Sequence, residues 1–289
     1  MSPESQLHLQ FAYYQSSLVV EHIIERFGTK AIASILKDLG RGVEINTAIA
    51  NHTEPMNKLE SAFKNYAHNK ANALAPELDW TELDPKILRT GIEEFAKKHP
   101  KNYYLFVREA RRALDEKDWE SVKAPCLELI RLFPKQSGGQ SNAYAMLARA
   151  YRELEEFDEE RKALETLASM SDDAYPVFQR LTELASERKD WEAVRVNCER
   201  ILEVNPLLPE TYRHLALAAE AQENDPTAIE SWQTLLSLDP LDPAEAHYRL
   251  ARLLKPKDNT KAKRHLLMAL EEAPRFRAAL KFLLIWDEK

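Results

Sequence analysis

The sequence predicts an all-α protein in which stacked helix pairs form an α-α superhelix behind a small N-terminal helical bundle. Only six glycines occur in 289 residues, and 44% of the residues are hydrophobic. Such a composition favours helix over most of the chain. Prolines recur with a period of 34 residues. Between them, apolar residues recur at spacings of three, four and seven, which is the period of one helix face.

Five prolines each close an amphipathic segment. They are Pro100, Pro134, Pro206, Pro240 and Pro274. The successive gaps are 34, 72, 34 and 34 residues, and the 72-residue gap holds two units, one of them slightly longer. A 34-residue period with a proline after the second helix is typical of helix-turn-helix repeats. This spacing therefore predicts five helix pairs between residues 101 and 274.

The interior of each unit fits two packed helices. In residues 207–240, the small Ala216 and Ala228 let the helices approach closely while larger apolar residues fill the space above them. Asp225 and Pro226 mark the turn, because proline suits an early helix position. Residues at similar stripe positions in the other units include Phe106, Trp119, Val122, Tyr144, Phe157, Leu164, Phe178, Trp191, Val194, Leu250 and Leu266.

The flanking segments complete the predicted organisation. A helical segment at 1–74 is followed by a linker at 75–84, in which prolines and acids break the helical period and Trp80 anchors the joint. Residues 85–274 then hold the five units plus a degenerate half-repeat that ends at Pro100. A capping helix at 275–289 is unusually apolar for a terminal cap, which indicates either a continuing chain or a self-associating surface.

In period, closing proline and stripe positions, residues 101–274 resemble tetratricopeptide repeats. The resemblance implies a protein- or peptide-binding scaffold whose first helices line a concave groove. The residues expected to face that groove are Arg111, Asp115, Arg149, Arg152, Gln179, Glu183, Arg213, Leu217, Tyr248 and Arg252. The lysine-and-asparagine carboxylate clamp of chaperone-binding members is absent, since Val107 and Ala145 stand on those helix faces. A chaperone adaptor is therefore disfavoured.

Arginine recurs at matching places in three of the five units, as Arg111, Arg149 and Arg252. A guanidinium group pairs bidentately with a carboxylate, so these residues predict a protein or peptide partner of acidic character. The alternative is that the arginines pair with glutamates on their own helices, such as Glu109 and Glu153.

Residues 11–74 do not follow the 34-residue period. They begin with FAYYQSSLVVEHIIERFG, followed by KAIASILKDLG, GVEINTAIANHT and PMNKLESAFKNYAHN. This order resembles the C-terminal end of a gluzincin-type, peptidase MA-like metallopeptidase domain, as found fused to tetratricopeptide repeats in bacterial proteins. The resemblance implies that Tyr14 matches the tyrosine that donates a hydrogen bond to the oxyanion formed during peptide hydrolysis. Ser17 stands where those enzymes have glycine.

The other parts of a zinc peptidase are missing from the sequence. None of the eight histidines belongs to an HExxH motif, and His22 with Glu25 would supply two ligands at most. The sequence therefore predicts no metal, no cofactor and no catalytic residue in this chain. Tyr14 would act only if the chain is the C-terminal part of a larger zinc metallopeptidase, an alternative indicated by the lack of a helix signature in residues 2–10. Otherwise Tyr13 and Tyr14 simply pack the first helix onto the next.

Charge and hydropathy exclude two classes of partner. A net charge of −7 argues against nucleic-acid binding, because neutralising the phosphates requires an excess of basic residues. No run of 18 apolar residues occurs, so no membrane span is expected. The first residues do not form a signal peptide, and the cytoplasm is the default location. Cys126 and Cys198 occupy equivalent places in non-adjacent units, so we expect two buried free thiols.

We therefore expect a protein- or peptide-binding scaffold without catalysis in this chain. The rival interpretation is the zinc peptidase described above, with the repeats selecting substrate or partner. A third is a structural module that self-associates through the C-terminal helix around Trp286.

Overall fold

The computed structural model describes residues 6–84, 91–136, 138 and 142–286. Helices dominate this part of the chain, so the predicted all-α class is confirmed. Two compact units, Met1–Asp79 and Trp80–Lys289, make up the chain. The start of the predicted half-repeat, at 85–90, and the end of the predicted capping helix, at 287–289, lie outside the described residues. The domain boundaries stay a prediction.

From residue 6 onwards, the N-terminal unit forms four helices: α1 (Gln6–Phe27), α2 (Thr29–Leu39), α3 (Ile45–His52) and α4 (Met56–Leu74). Their core consists of Ile23, Ala31, Ile35, Ala48 and Leu59. Helix α1 begins at Gln6, so the expectation that residues 2–10 lack helix is wrong for the described residues. Glutamine and leucine are good helix formers, and they extend α1 ahead of its amphipathic part.

The described residues of the repeat unit form a short helix, five helix pairs and a final helix. They are α5 (Ile92–Lys98), α6 (Tyr103–Glu116) with α7 (Trp119–Leu132), α8 (Ala143–Glu153) with α9 (Phe157–Ala168), α10 (Tyr175–Glu187) with α11 (Trp191–Val204), α12 (Pro209–Ala221) with α13 (Asp225–Ser237), α14 (Ala244–Leu254) with α15 (Asn259–Glu272), and α16 (Arg277–Leu284). Trp80 belongs to this unit, where its ring stacks on that of Tyr103 at 4.8 Å between centroids.

The turn inside each of the first four pairs uses a residue in the left-handed conformation. Lys189 has a φ of 58° and directly precedes Asp190, whose carboxylate accepts a hydrogen bond from the Ala193 backbone N–H and caps α11. Left-handed backbone costs a non-glycine residue about 1–2 kcal/mol, so the cap and the packing of the pair must outweigh it. The same φ occurs at the corresponding turns, at Lys117, Glu155 and Glu223.

The predicted stripes form the core of the stacked pairs. Ala216 and Ala228 are fully buried where α12 meets α13, and Trp232 is buried beside them. The prediction that Phe157 belongs to the buried stripe is wrong, because its side chain is 39% exposed. As the first residue of α9, it lies directly after the turn that joins α8 to α9, at the edge of the pair rather than inside it.

The two cysteines are buried and free, as predicted. Cys198 lies with Ala185, Val194 and Ala218 in a small apolar cluster that joins the third pair to the fourth. No described helix combines the length and apolar character needed to cross a membrane.

Candidate functional site

The exposed face of the first helices is the candidate site. On α14, His247, Leu250, Ala251 and Leu254 face inward, and each lies among buried residues. Tyr248 directly follows His247, and Arg252 directly follows Ala251. Both therefore lie on the adjacent, more exposed face of the helix. Helix α16 repeats this arrangement 32 residues later, so that Leu280 and Leu284 correspond to Tyr248 and Arg252. Leu280 is 40% exposed and Leu284 is 82% exposed.

Arg152, one of the predicted groove residues, is held by a buried carboxylate. Its Nε atom donates to Glu160 Oε1 at 2.7 Å, and Glu160 on α9 is fully buried. Arg180 on α10 holds both oxygens of the same carboxylate, through Nε at 2.8 Å and a terminal nitrogen at 3.0 Å. Arg180 also donates to Glu183, another predicted groove residue.

Burial by itself would raise the pKa of Glu160. The hydrogen bonds from Arg180 and Arg152 more than offset that effect and place the pKa below the ordinary value. Glu160 is therefore ionised, and it ties α8, α9 and α10 together through two guanidinium groups.

Arg213, on α12, is also paired within the protein. It donates to Glu245 of α14 at 2.5 Å and to Glu210 at 3.3 Å. Arg249 on α14 reaches back to Glu220 on α12 at 3.2 Å. The Trp232 indole N–H donates to Glu220 at 2.7 Å. These contacts fix the fourth and fifth pairs relative to each other. Arg152 thus pairs with a carboxylate on another helix, and Arg213 pairs with one on another helix and one on its own.

Arg149 and Arg252 lie over aromatic rings. The guanidinium carbon of Arg149 is 5.5 Å from the centroid of the Trp119 ring, and that of Arg252 is 5.9 Å from the centroid of Tyr248. Both distances are within the range of a cation–π contact, which leaves the N–H groups able to reach a ligand. Arg111, Asp115 and Gln179 are exposed on their first helices, and Leu217 is half-buried.

Two adjoining clefts lie at the C-terminal end of this face. The larger, of about 790 Å³, is lined by Asp242, Ala244, Glu245, Tyr248, Arg249, Ala273, Pro274, Arg275, Phe276 and Ala278. The smaller, of about 420 Å³, is lined by Pro209, Glu210, Arg213, Trp232, Leu235, Asp239, Pro240, Leu241, Asp242, Glu245 and Ala246. They share Asp242 and Glu245. An extended segment could therefore occupy both clefts.

Tyr14 lies on α1 of the N-terminal unit, and Tyr13 lies beside it. Their side chains are 59% and 71% exposed, so they do not serve to bury the first helix. His22 is buried against the Tyr66 ring at 4.7 Å between centroids. Burial and, secondarily, the charge of Arg26 lower its pKa. Among the residues that the structure describes, no group of three or more histidine, cysteine, aspartate or glutamate side chains could hold a metal ion.

Comparison with known proteins bears on the fold. No protein-family profile matches the sequence, and no curated protein is recognisably similar to it. Among solved structures, YrrB, described as a TPR protein with an unusual peptide-binding site, superposes with a TM-score of 0.54 at 16% identity. That match covers 66% of this chain and 97% of YrrB.

Two further structures show weaker similarity. The MamA protein covers 60% of this chain and 92% of its own, at 13% identity and a TM-score of 0.49. PilF of Pseudomonas aeruginosa covers 61% of this chain and 78% of its own, at 16% identity and a TM-score of 0.42. The YrrB superposition supports a tetratricopeptide-type superhelix, which is the predicted architecture. The peptidase resemblance of residues 11–74 stays a prediction.

Glu160 lies beneath the candidate face, where it holds Arg152 and Arg180, and the sequence analysis missed it. It occupies a place that the other four pairs fill with small apolar residues: Val122, Val194, Ala228 and Ala262. A single carboxylate at a position where the other four pairs have small apolar residues is a signal that the sequence itself contains. Such a residue must find a cationic partner when it is buried.

Proposed function

We propose that the repeat unit binds a peptide segment of another protein along the exposed face of its first helices. The observation that carries this proposal is the pair of adjoining clefts that share Asp242 and Glu245. A concave surface with both apolar and charged lining is the usual form of a peptide site.

The bound segment should present an apolar side chain with a carboxylate close by. Tyr248 and Phe276 pack edge-to-face at 5.1 Å between ring centroids and form an aromatic wall of the larger cleft. Aromatic residues in such positions often dominate peptide affinity. Arg252 lies over the Tyr248 ring, where it could pair with the carboxylate.

Fewer arginines support the proposed preference for acidic partners than the sequence alone had indicated, because some of them are already paired within the protein. Arg152 and Arg213 already satisfy Glu160 and Glu245, so they shape the face rather than attract a ligand. We assign the preference to Arg252 and Arg149, whose guanidinium groups lie over rings. Arg111 is exposed on α6 and extends the same face towards the first pair.

The binding activity can be tested with peptides. Random 12-residue peptides displayed on phage would be selected against the full chain, and the affinity of a selected peptide would then be measured by fluorescence anisotropy. We expect Tyr248→Ala and Leu284→Ser each to weaken binding about tenfold. The matched control is Leu127→Ser, which changes an exposed leucine on the second helix α7. Equal binding by all variants would contradict the proposal.

We propose further that this chain is not itself catalytic and acts in the cytoplasm. The competing proposal, that it forms the C-terminal part of a larger zinc peptidase, is favoured by the exposure of Tyr14. Immunoblotting the native gene product would distinguish them. A band near 33.3 kDa would favour the scaffold. A band tens of kilodaltons larger, together with activity lost in Tyr14→Phe, would favour the peptidase.

Self-association through the C-terminal helix is a separate proposal. It is supported by the exposed Leu284 and Ile285 on the last turn of the repeat unit. Analytical ultracentrifugation over a hundredfold range of concentration tests it. A mass that rises with concentration in the wild type and not in Leu284→Ser would support it.

A further inference from the structure

A second apolar cleft lies in the N-terminal unit, between α1 and α4. Its volume is about 730 Å³, and its lining residues are Phe11, Tyr14, Gln15, Leu18, Phe63, Lys64, Ala67, His68, Lys70, Ala71 and Leu74. Phe11, Tyr14 and Leu74 are all more than half exposed. A continuous exposed apolar surface of this kind usually marks an interaction site.

The cleft exists because α1 changes its apolar face halfway along. Val19, Ile23 and Phe27 pack into the core of the N-terminal unit. Phe11, Tyr14 and Leu18 recur at spacings of three and four on a different part of the helix surface and line the cleft instead. The N-terminal half of α1 therefore carries an apolar stripe that its own unit does not cover.

The opposite wall of the cleft has matching periodicity. Phe63, Ala67, Ala71 and Leu74 recur on α4 at spacings of four, four and three. Eleven residues of helix rise by about 16 Å, which is roughly three turns. The α1 wall is shorter, because the helix rises by only about 10 Å, or two turns, from Phe11 to Leu18. The two walls are mainly apolar and together form a surface against which a third amphipathic helix can pack.

The charge of the cleft indicates which helix would fit. Its lining contains Lys64, His68 and Lys70 and no carboxylate. Lys70 is already paired with Glu21. Within the part of the chain that the structure describes, Lys64 and His68 form no ion pair. At the edge of the apolar surface, an acidic helix would therefore find the ammonium group of Lys64 and the polar ring of His68, with no carboxylate to repel it.

The exposed apolar helices of this chain do not meet that requirement. Residues 6–20 of α1 contain no aspartate or glutamate, and neither does α16. Neither segment contains a carboxylate of its own to pair with Lys64. Charge complementarity thus favours a different protein.

We propose that the cleft between α1 and α4 binds an acidic amphipathic helix of a partner protein. Its apolar residues at i, i+4, i+7 and i+11 would pack between the two helices. Glutamates or aspartates beside that stripe would lie against Lys64 and His68. This site is separate from the peptide face of the repeats and does not depend on it.

The probe is a fluorescein-labelled 16-residue peptide with leucine at i, i+4, i+7 and i+11 and mainly glutamate elsewhere. A second peptide carries lysine in place of each glutamate. Anisotropy titrations with the full chain should show saturable binding of the acidic peptide and at least tenfold weaker binding of the basic one. A photo-crosslinker in the acidic peptide should label residues 11–18 or 63–74.

Variants of α4 then locate the contact. Ala71→Glu places a carboxylate on the exposed cleft wall and should weaken the acidic peptide at least tenfold. The double variant Lys64→Glu with His68→Glu should weaken it about fivefold or more. Asn69→Glu is the matched control, since Asn69 is exposed on the same helix and does not line the cleft. Circular dichroism of each variant checks that the fold is retained.

Several results would overturn the proposal. Equal binding of both peptides, no loss in Ala71→Glu, or crosslinks confined to residues 80–289 would each do so. Binding to phosphatidylglycerol vesicles without binding to the acidic peptide would assign the cleft to a lipid surface. Dimerisation that Ala71→Glu abolishes, again without peptide binding, would assign it to a second copy of the chain.

Discussion

Replacing Glu160 with glutamine keeps the shape of the side chain and removes its charge. The change leaves Arg180, which is only 15% exposed, without its bidentate carboxylate partner. Arg152 also loses its partner, but it is 44% exposed and water can take over much of that interaction. Removing one member of a buried ion pair costs about 3–5 kcal/mol. Arg152 is solvated and Arg180 keeps its bond to Glu183. We therefore expect Glu160→Gln to lower the free energy of unfolding by about 3 kcal/mol.

The measurement is urea denaturation followed by circular dichroism at pH 7, analysed with a nearest-neighbour treatment suited to repeat arrays. Glu165→Gln is the matched control. Glu165 lies on the same helix and pairs with Arg161 at 2.6 Å, but both side chains are substantially exposed. Exposed ion pairs of this type contribute little to stability. The free energy of unfolding of the control should therefore fall by less than about 0.5 kcal/mol. A loss below about 1 kcal/mol for Glu160→Gln would refute the reasoning.

A replacement of the whole cluster tests the same reasoning from the other side. The triple variant E160V/R152L/R180M uses the residues found at the equivalent places in other pairs: Val122, Leu114 and Met146. It leaves no buried charge unpaired. Well-packed apolar replacements of buried ion pairs are often neutral or stabilising by 1–4 kcal/mol. We therefore expect the triple variant to be at least as stable as the wild type, and clearly more stable than Glu160→Gln.

The pH dependence has a defined sign. The arginines hold the pKa of folded Glu160 below the ordinary value for a glutamate in an unfolded chain. Its contribution is therefore fully present above the unfolded pKa and is lost as the pH falls through the folded pKa. The difference in stability between wild type and Glu160→Gln should shrink in that acidic range and stay constant from pH 6 to 8.

Three further predictions concern the repeat unit and the cysteines. His247 and His265 lie with their Nδ1 atoms 3.0 Å apart, and burial lowers the pKa of both. The unfolded chain then binds more protons below about pH 6.5, so urea denaturation should show stability falling from pH 7.5 to pH 5.5, and falling less in His265→Gln. Lys189→Gly relieves a left-handed residue and should raise stability by about 0.5–1 kcal/mol, and a loss in the same assay would contradict this. Burial raises the pKa of the Cys126 and Cys198 thiols to about 12, so a disulfide reagent at pH 8 should modify neither until the protein is denatured.

The helix pairs could be predicted from the sequence because their signals are local. A stripe such as Ala228, Trp232 and Leu235 lies within one helix, and the cap at Asp190 lies beside the helix that it starts. Helical period and capping act over a few residues, so one segment contains the whole signal.

The contacts of the candidate face could not be predicted in the same way. The Glu160 carboxylate accepts hydrogen bonds from Arg152, eight residues upstream, and from Arg180, twenty residues downstream. These two arginines lie on two other helices. The sequence marks Arg152 as a groove residue and gives no indication that it is already occupied. The exposure of Tyr13 and Tyr14 depends on how far α1 extends beyond its core, which no local pattern records.

The ion pairs that join successive helix pairs are unevenly distributed. Lys123 bonds to Glu156 across the first boundary, Glu160 spans the second, and the Arg213–Glu245 and Arg249–Glu220 pairs span the fourth. Across the third boundary the described residues form no ion pair, and apolar side chains around Cys198 make contact there.

Salt screens exposed ion pairs and leaves apolar contacts in place. The third boundary is therefore the one whose contacts depend least on ionic strength, with three pairs on one side and two pairs plus the final helix on the other. Added salt would weaken the partly exposed pairs Lys123–Glu156 and Arg213–Glu245 while leaving the contact between these two halves unchanged.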